Sequence, residues 1–454
     1  MADRLLLRGG TVLTVDADLG DLPSGDVLIE GDTIVQVAPQ IDADAEVIDA
    51  GGRIVIPGFV DTHRHTWEAA IRGCAPNATL GDYFVEILDT FAPLYRPEDV
   101  YASNLAGALE CINAGITTLV DWSHINNSPE HPDAAIRGLQ EAGIRAQYAY
   151  GSANTSINDY WNGSKIAIPA DDVRRVRESY FSSGDGLLTM ALATRGPTYC
   201  MDEVVRAEWG LARELGIPIT IHVAMYSAGR FGMVKHLSDL GLLGPDTTYI
   251  HCCHLTDEEW RLVADSGGTI SIAPQVELQM AHGWPPVLKA LEHGLRPSLS
   301  VDVVTTVPGD LFTQIRAAFG AERARANAAA WEADVDASPD TLTARQMLEM
   351  ATANGAHVAG LGDRTGSLTP GKKADVVLLD ATALNMAPVI DPVAAVTLCA
   401  DVSNVDTVIV DGQVRKRGGR LVADADAARR LVEASRDHLV AEAERQRAAK
   451  MPQA

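Results

Sequence analysis

Residues 54–65 read IVIPGFVDTHRH, an apolar, β-branched run that ends on two histidines one residue apart. Side chains at positions i and i+2 of a strand face the same side. His63 and His65 therefore point together from the C-terminal end of this strand. Seven later stretches have the same form: GITTLVDWSH (115–124), RAQYAYGS (145–152), LLTMALATRG (187–196), IPITIHVAM (217–225), TTYIHCCHL (247–255), GGTISIAPQ (267–275) and LRPSLSVDVV (295–304). Between them lie Ala/Leu/Glu/Arg-rich, helix-like segments such as Pro97–Ala114, Pro132–Ala142, Met201–Leu215 and Asp257–Ser266. Eight strands alternating with helices over some 300 residues predict an α/β fold, a (β/α)8 TIM-type barrel. A doubly wound sheet is the alternative, but no G-x-G-x-x-G turn follows the first strand.

The segments outside this region have a different texture. LLLRGGTVLTV (5–15), GDVLIEGDTIVQVAP (25–39) and AEVIDAGGRIVIPG (45–58) are short strands broken by Gly, Asp and Pro, and SLTPGKKADVVLLDA (367–381) and VDTVIVDGQVRKRGG (405–419) match them. The expected organisation is a small β-sandwich built from residues 1–56 and 366–423, a catalytic barrel over 57–365, and a helical segment over 424–454.

The 454 residues carry 37 Lys and Arg against 61 Asp and Glu, a formal charge of −24. Such a surface repels phosphate backbones and anionic membranes, which disfavours nucleic-acid and membrane partners. No apolar run reaches the length of a membrane helix. The six cysteines are scattered through apolar stretches, which reads as reduced thiols in a cytoplasmic protein.

The chemistry lies at the strand ends. His222 follows IPIT-I, His251 follows TTYI and Asp302 follows SLSV. With His63 and His65, these are four histidines and one aspartate at the C-terminal ends of barrel strands, where such barrels keep their active sites. Three or four N/O ligands around a divalent ion, with a position left for water, is the geometry of a catalytic metal site.

PGFVDTHRH, the tract from Trp67 to Gly73, ECINAGITTLVD, HCCHLTDEE and the long MATANGAHVAGLGDRTGSLTPGKKADVVLLD resemble the amidohydrolase superfamily, in its cytosine-deaminase-like branch of aminohydrolases and triazine hydrolases. The resemblance covers nearly the whole chain. It implies one divalent ion on His63, His65, His222 and Asp302, with His251 orienting the attacking water and Asp302 taking its proton. Zinc is the expected ion, and iron(II) suits the same ligands. The two-metal branch bridges its ions with a lysine on the fourth strand; LLTMALATRG has none. A homodimer or higher homo-oligomer is implied as well.

Three positions depart from the family pattern. The glutamate usually found three residues after the fifth-strand histidine, the general acid towards a ring nitrogen, is Met225 here. The histidine usual after strand four is Arg195, which would favour an electron-rich substrate group. The tract after strand seven, PQVELQMAHG, places Glu277 and His282 where neutral polar residues are usual. Glu277 either replaces the missing acid or is a loop carboxylate in solvent. Trp67 either stacks on a planar substrate or packs under the barrel rim, and His124 is a further pocket residue. Cys252 and Cys253 read as small buried residues, and His254 as a supporting or helix-capping group.

The expected function is hydrolysis of a C–N bond, by deamination or opening of a cyclic amide or amidine, in a small cyclic or N-heteroaromatic compound. Because Met225 cannot transfer a proton, the alternative is ring opening or displacement of another leaving group on the same metal site. A non-catalytic scaffold on this fold would have lost ligands that this chain keeps.

Overall fold

The computed structural model describes residues 4–450. Its centre is a sheet of eight parallel strands in sequence order: Phe59–Arg64, Ile116–Ser123, Arg145–Tyr150, Leu188–Thr194, Ile219–Val223, Thr247–His251, Thr269–Ile272 and Ser298–Leu299. Each lies within one of the eight stretches read from the sequence. Parallel strands covered by helices are buried on both faces, which explains their nearly continuous apolar character. The sheet nearly closes into a barrel. Just past the eighth strand, the Asp302 amide donates to the His63 carbonyl at 2.9 Å and the His65 amide to the Asp302 carbonyl at 2.9 Å.

Both chain ends meet in a second sheet. Its strands are Arg4–Val12, Leu22–Glu30, Thr33–Ala38, Glu46–Asp49 and Arg53–Pro57 from one end, and Val376–Asp380, Val405–Val410, Gln413–Arg417 and Arg420–Leu421 from the other. Val376–Asp380 pairs antiparallel with Arg53–Pro57 and so joins the two ends. The period-2 alternation of strands decides what each face covers. Val376 and Leu378 pack with Leu5, Leu7, Val27 and Ile29 in the sheet's own core. Val377 and Leu379 belong to the large core shared with the barrel. Arg145, at the start of the third barrel strand, is buried across this junction, with its Nε 2.7 Å from Asp375.

The run IVIPGFVDTHRH serves both sheets: Arg53–Pro57 lies in the end sheet and Phe59–Arg64 in the barrel. The crossing point is Gly58, where a Cβ would stand 2.0 Å from Thr117 Oγ1. Only glycine lets the backbone pass so close to the second barrel strand. The C-terminal helix Ala425–Lys450 packs back against helix Pro97–Asn113. Among the described residues no helix is long and apolar enough to cross a membrane.

Candidate active site

The strand ends bring five side chains to one point. His63 and His65 come from the first strand, His222 from the fifth, His251 from the sixth, and Asp302 follows the eighth. His251 and Asp302 hold positive φ, +73° and +68°. Non-glycine residues in this region cost on the order of 1–3 kcal/mol each and persist only where the surroundings impose them. Here the ladder closing the barrel imposes the conformation on Asp302.

Asp302 Oδ1 lies 2.9 Å from His63 Nε2 and 3.4 Å from His65 Nε2, and His222 Nε2 lies 3.1 Å from His63 Nε2. The four donors are buried. Ligands about 2.0–2.1 Å from a zinc ion stand roughly 3 Å apart, so these separations match the edges of a coordination shell. The tautomers also fit. His65 Nδ1 is 2.9 Å from the carbonyl of Trp122, which fixes its proton there and leaves Nε2 as a lone pair. Burial lowers His63 to about 4 and holds His222 well below the ordinary histidine value, so both imidazoles are neutral. For His65, burial acts against the charge, but the hydrogen bond and charge of Asp302 outweigh it and raise the pKa. For Asp302, burial acts upward, and the imidazoles of His63 and His65 beside it hold the carboxyl well below its usual range. A carboxylate sharing protons with imidazoles is a site that exchanges them for a metal ion.

His251 Nε2 lies 3.6 Å from Asp302 Oδ2, the carboxylate oxygen turned away from His63. Its Nδ1 is 3.2 Å from Glu277 Oε1. Glu277 is fully buried in the short helix Pro274–Gln279 and accepts 2.8 Å from the Ala273 amide. Burial raises its pKa, against the pull of His251. Glu277 is therefore not a solvent-exposed loop carboxylate, and it is not among the residues that line the cavity above the site. The helix brings its Oε1 to Nδ1 of His251, the ring nitrogen remote from Asp302.

The cavity above these groups is lined by His65, His124, His222, His251, His282 and Asp302, and by the apolar side chains Leu80, Tyr83, Phe84, Leu88, Trp161, Met225, Met280 and Val303. The wall residues Leu80–Leu88 were not legible in sequence. They lie on helix Leu80–Tyr83, capped reciprocally by Thr79 and Asp82, which continues as a π-helical segment Phe84–Phe91. Met225 and His282 face this cavity as expected from their positions. His282 is 3% exposed, and neither ring nitrogen has a hydrogen-bond partner. Burial lowers it to about 3.

Two expected pocket residues lie elsewhere. Arg195 is turned away and buried. Its guanidinium pairs with Glu208 at 3.0 Å and donates to the carbonyls of Tyr160 and Ile166 at 2.8 and 2.6 Å. It ties two loops to a helix, because a buried guanidinium needs a carboxylate and carbonyls around it. Trp67 is fully buried under the rim and donates to His124 Nδ1 at 3.3 Å, so it supports His124 instead of stacking on a ligand. His254 is exposed at the surface. Glu68 is a further buried group beside the site; it accepts from Tyr83 Oη at 2.6 Å and from Thr305 at 3.2 Å. Its only sequence signal is a carboxylate inside the apolar tract TWEAAI that follows the H-x-H pair.

The amidohydrolase family model matches residues 54–415, spanning the barrel and the junction with the end sheet. The 5'-deoxyadenosine deaminase of Methanosarcina acetivorans is 30% identical over 98% of this chain and 100% of its own length. The 5-methylthioadenosine/S-adenosylhomocysteine deaminase of Desulforamulus reducens is 29% identical over 91% of this chain and 93% of its own. Among solved structures, zinc-bound atrazine chlorohydrolase from Arthrobacter aurescens superposes with a TM-score of 0.84 at 25% identity, covering 95% of this chain and 100% of that one. A zinc-bound adenosine deaminase from Xanthomonas campestris, 22% identical, shares the fold with a TM-score of 0.83 over 97% of this chain and 99% of that one. With a His/Asp metal cluster at the mouth of a barrel matched along most of its length, the chain belongs to the amidohydrolase family, as a metal-dependent hydrolase acting on carbon–nitrogen bonds.

Proposed function

We propose that His63, His65, His222 and Asp302 hold one divalent ion, zinc by preference, and that the protein hydrolyses an exocyclic or ring C–N bond of a small N-heteroaromatic compound. The observation that carries this is the convergence of those four donors with His251 on the floor of an aromatic and apolar cavity. A divalent ion held there would lower the pKa of a water beside it towards neutrality. Asp302 accepts the water's proton at its carboxylate and passes it towards the leaving nitrogen. His251, its Nδ1–H held by Glu277, aims Nε2 at the attacking oxygen. Phe84, Trp161 and Met225 exclude bulk water and grip a flat ring, while His124 and His282 meet its polar edge.

The substrate class follows the relatives' chemistry as far as this cavity supports it. Adenine-type compounds such as 5'-deoxyadenosine and 5'-methylthioadenosine are the first to assay. A second reading has its own support: Asp302 is the sole carboxylate lining the described cavity, and Met225 stands where a ring-nitrogen acid is usual. That favours opening of a cyclic amide or amidine, or displacement of a leaving group that departs without ring protonation. The six free cysteines accord with a reducing compartment, and a cytoplasmic location and assembly as a homodimer or higher homo-oligomer are part of the same proposal. The test is metal analysis combined with turnover of adenine-type nucleosides, amino-triazines and cyclic amides. Release of ammonia from a nucleoside supports deamination, and turnover confined to cyclic amides or other leaving groups supports the second reading. A metal-loaded protein inert to every class would overturn both.

A further inference from the structure

His124 follows the second barrel strand and lines the cavity. Its ring centroid lies 4.4 Å from that of His65. Behind it stands Trp67, whose Nε1–H donates to His124 Nδ1 at 3.3 Å. An indole nitrogen can only donate. Nδ1 is therefore the lone pair of the imidazole, and the ring's proton sits on Nε2. Trp67 has no room to turn away. It is fully buried, and Tyr95 packs against it edge-on with ring centroids 5.0 Å apart. Two other polar hydrogens of the cavity wall are already committed. Tyr83 Oη donates to Glu68 at 2.6 Å, and Trp161 Nε1 donates to Asn154 at 3.1 Å. His282 has no bonded nitrogen, so nothing fixes which of them carries its proton.

We propose that His124 is a fixed hydrogen-bond donor to substrate, and that it selects compounds with an acceptor beside the carbon under attack. That acceptor is a pyridine-type ring nitrogen or a carbonyl oxygen. The inference rests on the reading of this cavity as the substrate site. Attack on the carbon pushes negative charge on to the neighbouring nitrogen or oxygen, and a donor held ready in a water-poor cavity stabilises that charge as it develops. His124 acts by hydrogen bonding alone and keeps its proton, because losing it would leave an imidazolate. It thereby does by polarisation part of what Met225 cannot do by proton transfer. A compound that presents C–H or N–H there leaves the donor unpaired in a buried site, and binds worse for it. Trp67 does not line the cavity. It is a positioning residue, acting through the tautomer of His124.

Two measurements on full-length, zinc-loaded protein test this. Nitrogen NMR of histidine-labelled enzyme reads the tautomer directly. Wild-type His124 should show a protonated Nε2 and a bare Nδ1. Trp67→Phe, which keeps an aromatic ring without the N–H, should give a mixture of both forms. Calorimetry then measures binding of three probes: 5'-deoxyadenosine, its analogue with C–H in place of the ring nitrogen beside the amino-bearing carbon, and dihydrouracil as a cyclic amide. For whichever acceptor-bearing probe the wild type binds, His124→Leu should weaken binding about tenfold or more, the effect of one lost hydrogen bond. His124→Gln, whose amide can offer N–H from the same place, should restore most of it. The C–H analogue should bind wild type and His124→Leu alike. A protonated Nδ1 in the wild type, a tautomer indifferent to Trp67→Phe, or undiminished binding of the acceptor-bearing probe by His124→Leu overturns the proposal. A wild type that binds none of the probes overturns instead the substrate classes proposed for the cavity, and the tautomer still decides whether His124 is a donor.

Discussion

Asp302 and His63 meet twice. The Asp302 amide donates to the His63 carbonyl at 2.9 Å, closing the barrel, and Asp302 Oδ1 stands 2.9 Å from His63 Nε2, within the metal-ligand cluster. The hydrogen bond that joins the last strand to the first therefore also sets the spacing of two of the proposed ligands. Such coupling gives the metal set the rigidity of the barrel, which is what a preorganised site requires.

His63→Ala and His222→Ala are each expected to bind the ion far more weakly and to lose activity with it, since each removes one of the donors that the barrel holds preorganised. Elemental analysis after dialysis checks this. Full occupancy in either variant would rule out the four-residue set.

Asp302→Asn should reduce turnover by 10^3-fold or more, roughly the upper part of the range for loss of a general base, even with some metal retained. His251→Ala should keep the tight ion and lower kcat by about 10^2-fold or more. Glu277→Gln should lower kcat less than His251→Ala does, with metal content unchanged, because it loosens His251 without removing it. Steady-state kinetics on metal-counted enzyme orders the three. A Glu277→Gln loss exceeding that of His251→Ala would show that Glu277 acts on substrate directly.

Arg195→Ala should act on stability and not on KM. Its removal leaves Glu208 buried without its partner, a change that costs about 3–5 kcal/mol. Denaturant unfolding of the variant measures this. A raised KM with unchanged stability would mean that Arg195 reaches substrate.

Met225→Glu places a carboxylate at the cavity wall beside the metal ligands. If substrate departs without ring protonation, the variant should be no faster on the native reaction and should gain deaminase activity on adenine-type nucleosides. A rise in native turnover would instead identify proton supply as the missing element of the wild-type site.

Lys416 supplies a pH test of the end sheet. It is 2% exposed, its Nζ donates 2.8 Å to the Asn113 carbonyl, and burial lowers its pKa to about 8. The folded value lies below the unfolded one of about 10.4, so between these limits the unfolded chain binds more protons and stability rises with pH. Below pH 8 the penalty is fully present. Lys416→Met should therefore melt at a higher temperature than wild type at pH 7, with the gain shrinking as pH rises towards 10. A gain independent of pH would remove the charge as its cause.

Much of this molecule follows from local pattern. Strand periodicity and apolar runs located all eight barrel strands, and i, i+2 spacing put His63 and His65 on one side, because those features depend only on neighbours along the chain. Side-chain direction outside regular strands does not. Arg195 follows strand four as expected, yet turns away because Glu208 on a later helix and the Tyr160 and Ile166 carbonyls lie behind it. Glu277 lies one helical turn from a strand end, and that turn aims it at His251 and not into the cavity. Tyr83 and Glu68, 15 residues apart, meet only because the wall segment folds over the barrel mouth. The amino-acid order alone determined which chemical groups crown the barrel. Tertiary packing decided which of them face the cavity, since a buried charge turns to whichever opposite charge the fold brings within reach.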